Sequence, residues 1–375
     1  MSKLKYISVY LRSASSSQFS KIKYDIIDLP ERKKRNNTKE DDFHALVQIR
    51  KLYRTKDNNK EVCQLAEKYN GVYIIAADTG NGNVKTVSSC TPTSVSRHNS
   101  KPLTTTNVIE YNGSYYVIGQ GHKEVISDKT QDEDYYILTL FCIAKELSRD
   151  NVTEASVLIA AGLPVTWYGN QSESYRDYLN QNKEVSFSLD RINYHVEIKD
   201  AVILPQGYAA IIENLKDMKG DNMLADIGNG IINVLRIRNE VVIEDSFKTE
   251  LMGVNECVKE ILKYLKDKTH TNVDEYVAFE FIKTGQSSIS EKYVDKMKRI
   301  VEIYCGKVLK VLARYGYNRD FMKLYICGGG ARVMKRFCPA VANDERVIML
   351  TNICATARGY ELMTLKMLRD QYEKR

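Results

Sequence analysis

The feature that most constrains this chain is a turn that occurs twice. Ala77-Asp78-Thr79-Gly80-Asn81-Gly82-Asn83-Val84-Lys85 is answered downstream by Ala225-Asp226-Ile227-Gly228-Asn229-Gly230-Ile231. The first is entered from Val72-Tyr73-Ile74-Ile75-Ala76-Ala77 and the second from Met223-Leu224-Ala225, and apolar residues resume at Val84 and at Ile231 to Leu235. Each is therefore expected to be a β-hairpin with a glycine-rich tip. Glycine admits φ > 0 and removes side chains, so successive backbone N–H groups can face a phosphate. An Asp closing the first strand puts a carboxylate where a hydrated Mg²⁺ would sit, and Lys85 supplies a point charge for phosphates. One such turn is also an ordinary Asn-Gly hairpin tip. Two of them suggest one nucleotide held between two similar domains.

A third glycine-rich element follows. Lys323-Leu324-Tyr325-Ile326-Cys327 reads as a buried strand, and Gly328-Gly329-Gly330-Ala331 leads from it into a helix carrying Met334 and Phe337. Consecutive glycines allow close backbone approach to a base or ribose, and equally a tight strand-to-helix turn.

Taken in order, the Asp-x-Gly-Asn-Gly-x-x-Lys turn, Gly162-Leu163-Pro164, the second Asp-x-Gly hairpin and Gly-Gly-Gly-Ala resemble the actin, sugar-kinase and heat-shock-chaperone superfamily. Within it the chain looks like the bacterial actin-like plasmid-segregation proteins, the ParM-like group. The hairpin from Val108 to Gly119, the segment Ile203-Leu204-Pro205-Gln206-Gly207-Tyr208-Ala209-Ala210, and Ala355-Thr356-Ala357-Arg358-Gly359-Tyr360 favour that group. The resemblance covers roughly residues 71 to 370 and not the first 70.

The resemblance implies an α/β protein of actin-like fold, with two ribonuclease-H-like domains around a nucleotide cleft. The expected organisation is a basic α+β extension over 1–70, domain I over 71–215 with a C-terminal helix (352–375) returning to it, and domain II over 216–351. Asp78, Gly80, Asn81, Gly82, Asn83 and Lys85 would form the first phosphate motif; Asp226, Gly228, Asn229 and Gly230 would form the second; and Gly328, Gly329 and Gly330 would meet the adenosine. Asp78 and Asp226 would hold Mg²⁺ and its waters. Gln206 would orient the attacking water, although a Gln after Pro also reads as a helix start. ATP and GTP are not distinguished by these motifs. The implied activity is a slow Mg²⁺-dependent nucleoside triphosphatase that times a cytomotive filament. Its partners would be further copies joined head to tail and a DNA-binding adaptor that carries plasmid or phage DNA. The chain departs from the family in one respect: Ile231 and Ile232 stand after Gly230, where a Thr or Ser hydroxyl is usual.

Composition sets wider bounds. A length of 375 residues with 43% hydrophobic residues suffices for two cores. No run approaches the ~18 apolar residues of a membrane span, and no signal-peptide core opens the chain, so a cytoplasmic protein without membrane contact is expected. The eight cysteines are scattered without a C-x-x-C pair, which suits a reducing compartment and argues against a zinc site. His98, His122, His195 and His270 are isolated, and no role is assigned to them.

Residues 1–70 carry 16 Lys and Arg against 9 Asp and Glu, and the remainder 39 against 39, so the whole net charge of +7 lies in the extension. Strand-like runs at 4–11 and 22–27 flank a serine-rich turn; a helix capped by Thr38 and a short helix from Glu61 to Tyr69 follow. The run Arg32-Lys33-Lys34-Arg35 reads either as a solvated loop or as a direct DNA contact. For the core, the alternative is a sugar- or acetate-type kinase of the same superfamily. No Asp poised for a sugar hydroxyl is evident, and a polymerising hydrolase ranks first.

Overall fold

The structure, a computed structural model, describes residues 66–103, 106–287 and 289–372. The expected strands at 4–11 and 22–27, the helix from Thr38 and the basic run 32–35 lie outside the described residues. The short helix expected to reach Tyr69 is corrected at its end, because Lys68–Tyr69 is a strand (β1) paired with Val72 and Tyr73. Asn70 and Gly71 between them both take positive φ (51° and 84°), as a two-residue hairpin turn requires.

Strand β2 (Val72–Thr79) is buried at all eight positions, each large apolar side chain contributing about 1.5–3 kcal/mol. There follow β3 (Asn83–Lys85), β4 (Cys90–Pro92), β5 (Val95–His98), β6 (Val108–Tyr111) and β7 (Ser114–Ile118). Helix α1 (Asp134–Arg149), β8 (Glu154–Leu163) and α2 (Val165–Leu179) form a crossover onto β10 (Ile192–Pro205), with β9 (Glu184–Leu189) hairpinned against it. The ten strands run β4-β3-β2-β8-β10-β9-β6-β7-β5, with β1 on β2. The sequence predicts a strand over Tyr194–Ile198, and β10 runs on past it to Pro205. The polar pair Lys199-Asp200 breaks the pattern but not the strand: the register shifts between Ile198 and Asp200, and Arg176 Nε donates to Asp200 Oδ1 at 3.0 Å. Gln206 consequently follows a strand end rather than starting a helix.

The second sheet comprises β11 (Asp221–Ile227), β12 (Ile232–Arg238), β13 (Val241–Glu250), β14 (Lys323–Cys327) and β15 (Val347–Met349), in the order β13-β12-β11-β14-β15. Helices α3 (Val254–Thr269), α4 (Glu275–Thr284), α5 (Val294–Arg314), α6 (Gly329–Phe337) and α7 (Pro339–Ala342) belong to this half, and α8 (Ala355–Tyr372) returns to the first. Strands β4-β3-β2-β8-β10 match this order in sense as well. In each sheet two antiparallel pairings precede two parallel ones. The turns after β2 and β11 thus occupy the same place in two copies of one pattern.

Both sheets are covered on both faces. On the first, Phe141, Tyr175 and Leu179 lie among buried residues of one face, and Ala357, Tyr360, Leu365 and Leu368 of α8 cover Ile74, Ala76 and Leu158 on the other. Much of the tyrosine excess is interior: Tyr135, Tyr136 and Tyr175 are nearly inaccessible, and the Tyr178 hydroxyl donates to the Asp132 carbonyl at 2.9 Å. Among the described residues no helix is long and apolar enough to cross a membrane.

Candidate functional site

The two hairpin tips meet. A Cβ at Gly82 would stand 2.4 Å from the Asn229 Cβ, and one at Gly230 would stand 2.2 Å from Val125 Cγ2 and 3.2 Å from Asn81 Nδ2. Only glycine permits this approach, which accounts for both Asn-Gly pairs. The Asn81 side chain accepts from the Tyr135 hydroxyl at 3.0 Å, and its carbonyl accepts from Lys123 N. Gly80, Gly228 and Asn83 shape the turns: the Gly80 N–H donates to the Asp78 carbonyl and the Gly228 N–H to the Ile231 carbonyl, while Asn83 opens β3 opposite Pro92.

Behind the tips four polar side chains converge. Lys85 Nζ lies 2.8 Å from Asp78 Oδ2, and Gln206 Nε2 donates to Asp78 Oδ1 at 3.4 Å. Asp78 is buried. Burial opposes the Lys85 charge, but the Asp78 carboxylate, with Asp226 beyond it, overcomes this and raises the lysine pKa. Asp226 is partly exposed. Its carboxyl pKa is raised by desolvation; Lys85 opposes that rise and Asp78 adds to it. The Cys327 thiol and the Asn233 amide hydrogen-bond to Asp226, and burial keeps that thiol protonated.

The repeat explains the charge arrangement. Asp78 pairs with Lys85 across the first hairpin, and Asp226 pairs with Asn233 at the equivalent place in the second. Asn233 accepts from Thr249 Oγ1 at 2.9 Å, so it is a neutral, anchored counterpart of Lys85. Two carboxylates share one ammonium. Ile231 and Ile232, the departure noted from the sequence, are both buried and supply no hydroxyl.

The triple glycine mostly serves packing of protein on protein. Gly328 has φ +77°, and a Cβ there would meet the Ile227 carbonyl at 2.5 Å and Asp226 Oδ1 at 2.7 Å; one at Gly330 would meet Ile227 Cγ2 at 2.1 Å. Gly329 alone has open space beside it, at the start of α6.

Several residues here were not legible as site components. His122 bridges the halves: its Nδ1 lies 3.2 Å from Glu275 Oε1, and its ring stacks on Phe279 at 4.1 Å. Lys283 and Arg332 reach the neighbourhood of Cys90 on β4, where with Lys85 they oppose the burial that raises its thiol pKa. Lys129 is buried directly behind the first turn. No local spacing marks any of them, since each acts across long sequence separations.

The fold is that of the actin-like proteins. The family described as "Actin like proteins N terminal domain" matches residues 76–208. Among solved structures, Ta0583, an archaeal actin homolog in complex with ADP, superposes with TM-score 0.62 at 14% identity over 78% of this chain and 99% of its own. The Alp12 filament structure gives 0.56 at 19% identity over 80% and 99%. ParM of Bacillus thuringiensis with ATP gives 0.57 at 15% identity over 80% and 100%. No curated protein sequence matches the chain.

Proposed function

We propose that this chain is a nucleotide-dependent, polymerising actin-like protein that hydrolyses ATP or GTP with Mg²⁺. The observation carrying this reading is the convergence of Asp78, Lys85, Asp226 and Gln206 between two topologically equivalent hairpins. Solved neighbours of the same fold contain ADP or ATP, and one is a filament, which supports both halves of the reading.

The donor set fits a hydrated magnesium ion: the carboxylates of Asp78 and Asp226 both act on Lys85, and among the described residues Asp226 has no cation within ion-pair distance. Asp78 and Asp226 would hold it, and when bound it would neutralise phosphate charge and polarise the bond being broken. The chain's own groups do the positioning. The Gly80 and Gly228 N–H groups close the turns themselves, so the backbone N–H groups of 81–82 and 229–230 would face the phosphates, and Lys85 would add a charge beside them. Gly329 leaves room for the nucleoside. Gln206, whose backbone N–H is fixed to the Leu163 carbonyl at 2.8 Å, directs its amide at Asp78 and would align a water for in-line attack.

Gln206→Ala is expected to slow phosphate release by roughly 10–100-fold while leaving nucleotide-triggered assembly intact. Malachite-green phosphate assays beside sedimentation check it. Lost assembly with preserved hydrolysis would remove Gln206 from the water-orienting role.

In the cell the filament would segregate plasmid or phage DNA through an adaptor protein, with the polymer built from head-to-tail, non-closing contacts between identical chains. The basic run at 32–35 would contribute direct DNA contact.

A further inference from the structure

Lys129 lies just before α1, and its side chain is turned inward; the residue is 5% exposed. Its Nζ donates to the Thr79 carbonyl at 2.9 Å, to Thr79 Oγ1 at 3.1 Å and to the Gly162 carbonyl at 3.3 Å. Those acceptors match the three N–H donors of an ammonium. The rings of Tyr135 on α1 and Tyr175 on α2 flank it, with centroids 5.2 and 5.5 Å away, and the Tyr175 hydroxyl is itself 3.2 Å from Thr79 Oγ1. Among the described residues no carboxylate lies within ion-pair distance of it. Asp78 attracts the charge from further off, and Lys85 repels it.

An interior ammonium held only by neutral acceptors and aromatic faces is an expensive choice for a core position. An apolar residue of the same volume would avoid burying the charge but would leave the Thr79 and Gly162 carbonyls without this donor, so what the ammonium secures is those acceptors. Their places in the fold indicate its role. Thr79 ends β2, one residue after Asp78, and Gly162 lies at the end of the parallel partner β8, where the chain turns toward Pro164 and α2. One ammonium therefore ties together the two strand ends that lead into the site. Gln206, at the end of β10, hydrogen-bonds to the same β8 terminus through Leu163.

We propose that Lys129 is a positioning residue for nucleotide hydrolysis: it clamps the ends of β2 and β8 and so fixes the backbone that aims Asp78, the first phosphate turn and Gln206. The proposal rests on the function given above. It does not place Lys129 against the nucleotide. A clamp that shifts the turn by a fraction of an ångström acts on the reaction more than on binding, because in-line attack depends steeply on geometry.

The test uses the full-length protein and two variants. Lys129→Met keeps the bulk and deletes all donors; Lys129→Gln keeps two N–H donors without the charge. In the nucleotide-free protein, hydrogen–deuterium exchange over 78–86 is expected to quicken about tenfold or more in Lys129→Met, with 221–238 unchanged. With Mg²⁺ and ATP, kcat is expected to fall roughly 100-fold while KM stays within about threefold of wild type, and Lys129→Gln is expected to fall between the two. An active wild type whose Lys129→Met variant keeps its kcat would overturn the proposal, as would exchange that quickens equally in both sheets. A wild type that releases no phosphate would instead overturn the hydrolase reading, and the clamp would lose its role in catalysis with it.

Discussion

Asp226→Asn is expected to cut Mg²⁺-dependent triphosphate hydrolysis by at least about 100-fold, the scale seen when a positioned charge-stabilising group is removed. The same change should not destabilise the empty protein. Burial and the facing Asp78 raise the Asp226 pKa, so the folded state disfavours the ionised form more than the unfolded state does. The unfolded carboxyl titrates near its ordinary value of about 4. Between that value and the raised one the folded protein holds the extra proton, and stability falls as pH rises. Above the raised pKa the ionised group is therefore a cost that Asn, a neutral isostere, removes. The expected result is a dead enzyme whose melting temperature without nucleotide is unchanged or higher. A variant that turned over normally would remove Asp226 from the site, and one that simply melted earlier would mark it as structural.

Gly328→Ala is expected to destabilise the fold by about 3 kcal/mol and to abolish nucleotide binding. At φ +77° and ψ −175° the residue occupies backbone space that is essentially glycine's alone. Its new Cβ would also meet a backbone carbonyl of β11, 2.5 Å away, which has no free rotation by which to yield. Relief would require α6 to move away from β11, carrying Gly329 and Arg332 with it. Urea denaturation of the two proteins side by side checks this, and a difference below about 1 kcal/mol would show that the corner relaxes. Gly329→Ala is the internal comparison, since nothing stands within 4 Å of its would-be Cβ.

How much of this was readable beforehand depends on the distance over which each signal acts. Turn chemistry is local, and the two Asp-x-Gly-Asn-Gly hairpins and the strand at Lys323–Cys327 are where their residues imply. Apolar runs such as Val157 to Ala161 mark buried parallel strands because both faces of such strands are covered. The reading failed where a tertiary contact overrides a local pattern. At Lys199-Asp200 a bulge held by Arg176 carries β10 through a polar pair. At Lys68–Tyr69 the pairing through Asn70-Gly71 replaces an expected helix end.

The site divides in the same way. The residues on the hairpins were identifiable because the chemistry and the turn share a few positions. Lys129 was not, for it stands in Asp128-Lys129-Thr130-Gln131-Asp132, a run that reads as a solvated loop. Its acceptors are 50 and 33 residues away. His122 is likewise unmarked in the sequence, because its Glu275 and Phe279 contacts are made in the other half of the molecule. The equivalence of Lys85 and Asn233 emerges only once both hairpin registers are known.

The most direct test of the whole account is light scattering of the purified protein on addition of Mg²⁺ with ATP or GTP, with phosphate release followed in the same sample and the pellet viewed by electron microscopy. Filaments are expected to form with the triphosphate and to decay as phosphate appears. Phosphate release with no assembly at any accessible concentration would contradict it.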